Sequence, residues 1–165
     1  MTSGQLLTLW TVRIACILYL LAVTAFLNRK HESARLIWSI AFLVYFSHVL
    51  AAFSYYHDWS HDAAYQETAR QTAELFGIRW GEGLYFNYAF TAVWAADILW
   101  IWLDATGHRR RPAWITVLVH AFLAFMFFNA AVVFGKGWVR WIGAIATAGL
   151  GLFWLLVRCP RRDRP

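Results

Sequence analysis

The densest run of chemically capable side chains is His57-Asp58-Trp59-Ser60-His61-Asp62. Imidazoles at i and i+4 on one helix present two nitrogens to a single metal ion, and Asp58, Asp62 or His48 would extend the ligand set. A divalent metal held there would lower the pKa of a bound water, with Asp58 or Asp62 as the catalytic base of a hydrolase. The spacing is a weak signal, because the Glu that stands between the two His of a zinc-protease helix is absent. Ser60 is also a good helix N-cap, and a helix beginning there leaves His57 and His61 on either side of a bend. The competing expectation is an interfacial His, Asp and Trp group that caps a helix.

Haem is the poorer cofactor for these residues. His48 and His120 differ in depth by roughly 10 Å at 1.5 Å per residue, whereas axial ligands must face each other across one iron. The sequence also has no c-type attachment motif.

Further polar groups stand inside long apolar runs, where an ionisable side chain is costly and therefore a candidate for function. Arg13 and His48 each lie about seven residues, roughly 10 Å, below one boundary of their runs, and Asn87 and Asn129 belong to the same half. A polar cluster opening toward that side is expected, unless Arg13 snorkels outward and His48 merely bonds a neighbouring helix. In the opposite half, Asp97 and His120 lie on consecutive antiparallel runs at similar depth. Their pairing would orient the imidazole for a proton relay, a ligand contact or simple helix-to-helix specificity.

These residues need a membrane to position them. The chain has 165 residues, of which 61% are hydrophobic and 15% charged, and its mean hydropathy is +0.47. A water-soluble domain of this size could not bury so much apolar surface. Several runs reach the roughly 20 residues that cross a bilayer core. The fold class is accordingly all-α: an integral membrane bundle of five transmembrane helices in a single domain, with a short amphipathic helix on the outer surface. The spans are expected over 6–27, 34–55, 84–103, 113–134 and 138–157, with an outer connection over 56–83. Residues 1–12 hold no Lys or Arg, and Arg13 interrupts what would be the apolar core of a signal peptide, so the first run is read as a retained span.

Charge sets the orientation. Arg29, Lys30 and Arg35, then Arg109 to Arg111, then the C-terminal arginines flank the spans on one side, which should be cytoplasmic. The 56–83 connection carries Asp58, Asp62, Glu67, Glu74 and Glu82 against Arg70 and Arg79, and should face outward. The N-terminus is then outside and the C-terminus cytoplasmic, in what the Arg-rich composition favours as a bacterial inner membrane. The excess of cations is a topology signal and implies no nucleic-acid partner. Within 56–83, Ser60 is the expected N-cap, Arg70 and Glu74 an i,i+4 pair, and Gly77 the helix stop. Cys16 and Cys159 fall too far apart in this topology to form a disulfide.

Gly143, Thr147 and Gly151 place small residues at four-residue steps on the fifth run, where another helix of this chain, a second copy or a partner could approach closely. The leading expectation for function is a non-enzymatic membrane partner or assembly subunit. A metal-dependent or redox-linked enzyme or metal handler using His57, His61 and His48 is the alternative. A small transporter using Asp97 and His120 is weaker, because no internal repeat accompanies it.

Overall fold

The computed structural model describes residues 3–28, 30–134, 137, 140, 141, 143–145, 148, 149 and 151. These contain helix and connections and no strand. In chain order the elements are α1 (Ser3–Leu27), α2 (His31–Tyr56), α3 (His61–Phe76), α4 (Gly83–Leu103), α5 (Ala105–Arg110) and α6 (Ala113–Phe128), which runs into a π-helical turn at Asn129–Val133. Helices α1, α2 and α4 and the stretch Ala113–Val133 are long and apolar enough to cross a membrane. They coincide with the first four expected spans to within a few residues. By the length and composition of these helices the chain is a multi-pass membrane protein. The expected fifth span falls mostly outside the described residues.

Helices α1, α2 and α4 each bury a narrow face, and α6 buries only Leu123. Ala15, Tyr19 and Ala22 on α1, Ala34, Trp38, Ala41 and Tyr45 on α2, and Phe90, Trp94, Asp97 and Ile101 on α4 recur at steps of three and four, and all are buried. The faces combine alanines, which let backbones approach, with aromatic rings that fill the space between them. Trp38 and Trp94 lie 5.0 Å apart between ring centres, and Tyr45 stacks on Trp94 at 5.5 Å. Many leucines point the other way: Leu43, Leu103 and Leu118 are 61%, 83% and 62% exposed. In water such a surface would aggregate; against lipid tails it is solvated, and small residues and packing hold the helices together.

Helices α1 and α2 form an antiparallel hairpin. Gly4, near the start of α1, lies where any Cβ would strike the Tyr55 ring at the end of α2, and Tyr19 and Phe26 of α1 both contact Trp38. Two consecutive left-handed residues, Asp58 (φ 46°) and Trp59 (φ 59°), then turn the chain into α3. Ser60 caps α3, its hydroxyl accepting from the Ala63 amide at 3.1 Å. Gly77 ends it with φ 74° and donates to the Ala73 carbonyl at 2.9 Å, a conformation that costs glycine nothing sterically. Both ends of α3 are as the sequence specifies.

Beyond the π-helical turn the chain folds back. Arg140 donates to the carbonyls of Val132 and Val133 at 2.8 and 3.1 Å, meeting acceptors that a helix terminus leaves unfilled. A Cβ on Gly143 would come within 2.8 Å of the Ala131 Cβ, so this glycine admits its own chain. Thr147, expected to share its face, lies outside the described residues, and no atom of the described residues would lie within 4 Å of a Cβ on Gly151.

Candidate functional site

Polar side chains gather at the two ends of the bundle in different ways. At one end, that of α5, Asp97 of α4 is the centre. Its position on the face shared by Trp94 and Ile101 turns it inward, and its side chain is 2% exposed. Oδ2 accepts from Trp38 Nε1 at 3.0 Å, and Oδ1 accepts from His108 Nε2 at 3.1 Å and from Arg111 Nη1. The Arg111 side chain is 4% exposed and also donates through Nε to Thr116 Oγ1 at 2.8 Å. Its guanidinium lies 5.9 Å from the Trp100 ring.

Helix α5 makes this possible. Asp104 caps it by accepting from the Gly107 amide at 2.8 Å, which turns the connection back beneath the bundle and lifts His108 and Arg111 to Asp97.

Asp97 and His120, expected to meet, lie close enough to interact electrostatically but share no direct hydrogen bond. The Asp97 oxygens are taken by Trp38, His108 and Arg111, and the His120 ring instead packs 5.5 Å from Trp38 and 6.1 Å from Phe26. Trp38 stands between the two residues, its indole N–H on the carboxylate and its ring against the imidazole. Sequence reasoning counted Arg111 only as a topology charge and passed over His108. The available signal was the Asp104 to Gly107 cap, which marks a fold-back within reach of an inward-facing carboxylate.

At the other end, that of α3, lies a cavity of about 960 Å³ bounded by α1, α2, α3, α4, α6 and the π-helical turn. Helix α3 contributes one face, Ala64, Thr68, Thr72 and Phe76, and turns Asp62, Gln66, Arg70 and Glu74 away to the exposed side. His48, Asn87 and Asn129, expected to cluster, line this same cavity. Arg13 is not among the lining residues; its guanidinium lies 5.4 Å from the Trp10 ring.

The cavity walls are mostly apolar, with Val12, Val49, Phe53, Phe90 and Met126 among them, and also carry His57, Glu67 and Gln71. Most polar atoms there are already engaged. Thr91 donates to the Asn87 carbonyl at 2.9 Å, so the Tyr45 hydroxyl donates to Thr91 Oγ1 at 2.8 Å. Thr68 and Thr72 bond back to the Ala64 and Thr68 carbonyls, each at 2.9 Å. Asn129 Nδ2 donates to the Phe125 carbonyl at 2.8 Å.

Helix α3 is pinned in place. His61 Nδ1 pairs with the Tyr88 hydroxyl at 2.9 Å, and the Tyr65 hydroxyl donates to Glu82 at 3.0 Å, a bond that raises the Tyr65 pKa. On the exposed side Arg70 bridges Glu67 and Glu74. The Arg70 guanidinium holds Glu67 down to about 2.

The metal expectation is not met by this geometry. Among the described residues no three of His, Cys, Asp and Glu converge where an ion could sit. The left-handed turn at Asp58 and Trp59 separates His57, which ends α2, from His61, which opens α3. His61 is tied to Tyr88 and His48 to α1, while Asp58 and Asp62 are exposed. No family model, no curated protein and no solved structure matches the chain.

Proposed function

We propose that this is a non-enzymatic membrane protein that holds a membrane-soluble guest molecule in the α3-end cavity. The observation that supports this is the cavity itself. It has about 960 Å³ of space, apolar walls from the spanning helices, and a few polar atoms facing in, the usual make-up of a site for an amphipathic ligand. The paired His, Asp and Arg groups of the α5 end serve as a fixed base for it. A metal handler would need donors that the bend at Asp58 keeps apart.

In the same reading, α3 lies along the outer face of a bacterial inner membrane, its carboxylates toward water and its Ala and Thr face roofing the cavity. Arg109 to Arg111 then sit on the cytoplasmic side. A fifth span over 138–157 completes the bundle, which the return of Arg140 and Gly143 against the π-helical turn supports.

The test is to purify the protein in mild detergent, extract it with organic solvent and identify what is released by mass spectrometry. A lipid-like molecule near one equivalent is expected, and Ala52→Phe, which places a ring in the cavity, should remove it. Protein that carries no such molecule, and whose melting temperature does not respond to added neutral lipids, overturns the reading.

A further inference from the structure

The chemistry of the guest's head group is written in one ring. His48 Nδ1 lies 2.9 Å from the Thr8 carbonyl oxygen. A carbonyl only accepts, so Nδ1 carries the hydrogen, and the neutral imidazole must hold its lone pair on Nε2. No donor among the described residues is paired with Nε2, and His48 lines the cavity. The α1 backbone therefore fixes the tautomer and leaves a hydrogen-bond acceptor on a residue that lines a mostly apolar space. The nearby hydroxyl hydrogens of Tyr45, Thr68 and Thr72 are already committed to other acceptors.

Charge narrows the class further. No Lys or Arg is found among the described lining residues, and the one lining carboxylate, Glu67, is neutralised by Arg70. An anionic head group would be desolvated there without a counter-charge, and a cationic one would compete with Arg70 for Glu67.

Resting on the guest-binding reading above, we infer that the cavity selects a neutral lipid bearing a hydroxyl, which donates its hydrogen to His48 Nε2. The Asn87 carboxamide, for which no side-chain hydrogen bond is found among the described residues, is available to the hydroxyl oxygen.

The experiment compares three lipids of equal chain length on the full-length protein, by native mass spectrometry from detergent. The lipids are dioleoylglycerol, its acetyl ester 1,2-dioleoyl-3-acetylglycerol, and dioleoyl phosphatidic acid. Dioleoylglycerol should bind about tenfold more tightly than the acetyl ester, since the ester leaves Nε2 desolvated and unpaired. Phosphatidic acid should bind more weakly still. In His48→Asn the shorter amide keeps a donor for Thr8 and offers nothing at the Nε2 position, so the preference for the free hydroxyl should vanish. If that variant does not fold, the comparison of the three lipids on the unaltered protein decides.

Equal binding of dioleoylglycerol and the acetyl ester overturns the inference while leaving the guest-binding reading intact. Tighter binding of phosphatidic acid does the same. Binding of none of the three removes both. A metal or a Soret band that disappears in His48→Asn would also overturn it, because a backbone-bonded Nδ1 orients a metal ligand equally well.

Discussion

The two ends of the bundle treat buried polarity in opposite ways. Around Asp97 both carboxylate oxygens are filled, by Trp38, His108 and Arg111. Around His48, which lines a cavity, one ring nitrogen is held and the other has no partner among the described residues. A buried ion pair with complete hydrogen bonding fixes one arrangement of helices, and removing one partner leaves an uncompensated charge. An acceptor left open in an apolar space is stable only with something to meet it. The contrast separates scaffold from site more reliably than residue type does, since both ends contain a histidine inside or beside a span.

The comparison can be broken most forcefully at Asp97. Asp97→Ala should cost about 3–5 kcal/mol by stranding Arg111, read as a large fall in melting temperature in detergent; a loss of less than about 1 kcal/mol would show that the α5 end is not a scaffold. A smaller effect is expected at the cap of α3. Ser60→Ala should cost about 1 kcal/mol, visible as faster proteolysis within 61–76 with the spans unaffected.

Acid probes the exposed face of the same helix. Because Glu67 is depressed from 4.5 to about 2 by Arg70, its contribution is complete above about pH 4.5 and is lost as pH falls through about 2. The pair is solvent-exposed, so the change should be less than about 1 kcal/mol and should shrink with added salt. Smallest of all should be Asn87→Ala, within about 0.5 kcal/mol of the unaltered protein when the cavity is empty. If Asn87→Ala destabilises as much as Asp97→Ala, the cavity is a structural core and not a binding site.

Much of this architecture was legible because lipid simplifies the rules. Span boundaries follow from run length, and both caps of α3 follow from the Ser60 hydroxyl and the backbone freedom of Gly77, which act within three or four residues. The common location of His48, Asn87 and Asn129 was legible as well, since rise per residue converts sequence position into depth. The partners of Asp97 were not, because they depend on how a connection folds back. Arginines at 109–111 satisfy the topology rule whichever way they point, and only the Asp104 turn decides that Arg111 enters the bundle. The His57 and His61 motif misled for a related reason: i,i+4 spacing implies a shared face only on an unbroken helix, and Asp58 and Trp59 break it.

The π-helical turn at Asn129–Val133 carries a consequence for how this chain tolerates changes of length. Its defining bond runs from the Phe134 amide to the Asn129 carbonyl at 2.9 Å, one residue further than an α-helix reaches, so the turn accommodates a single surplus residue without breaking the span. Deleting one residue there would restore ordinary α-helical pairing and, because the π turn absorbs the extra residue, leave Phe134 close to its present side of the helix axis. A one-residue deletion at this point should thus be tolerated, whereas the same deletion earlier in α6 would turn Asn129, Ala130 and Phe134 by roughly 100° away from the cavity they line.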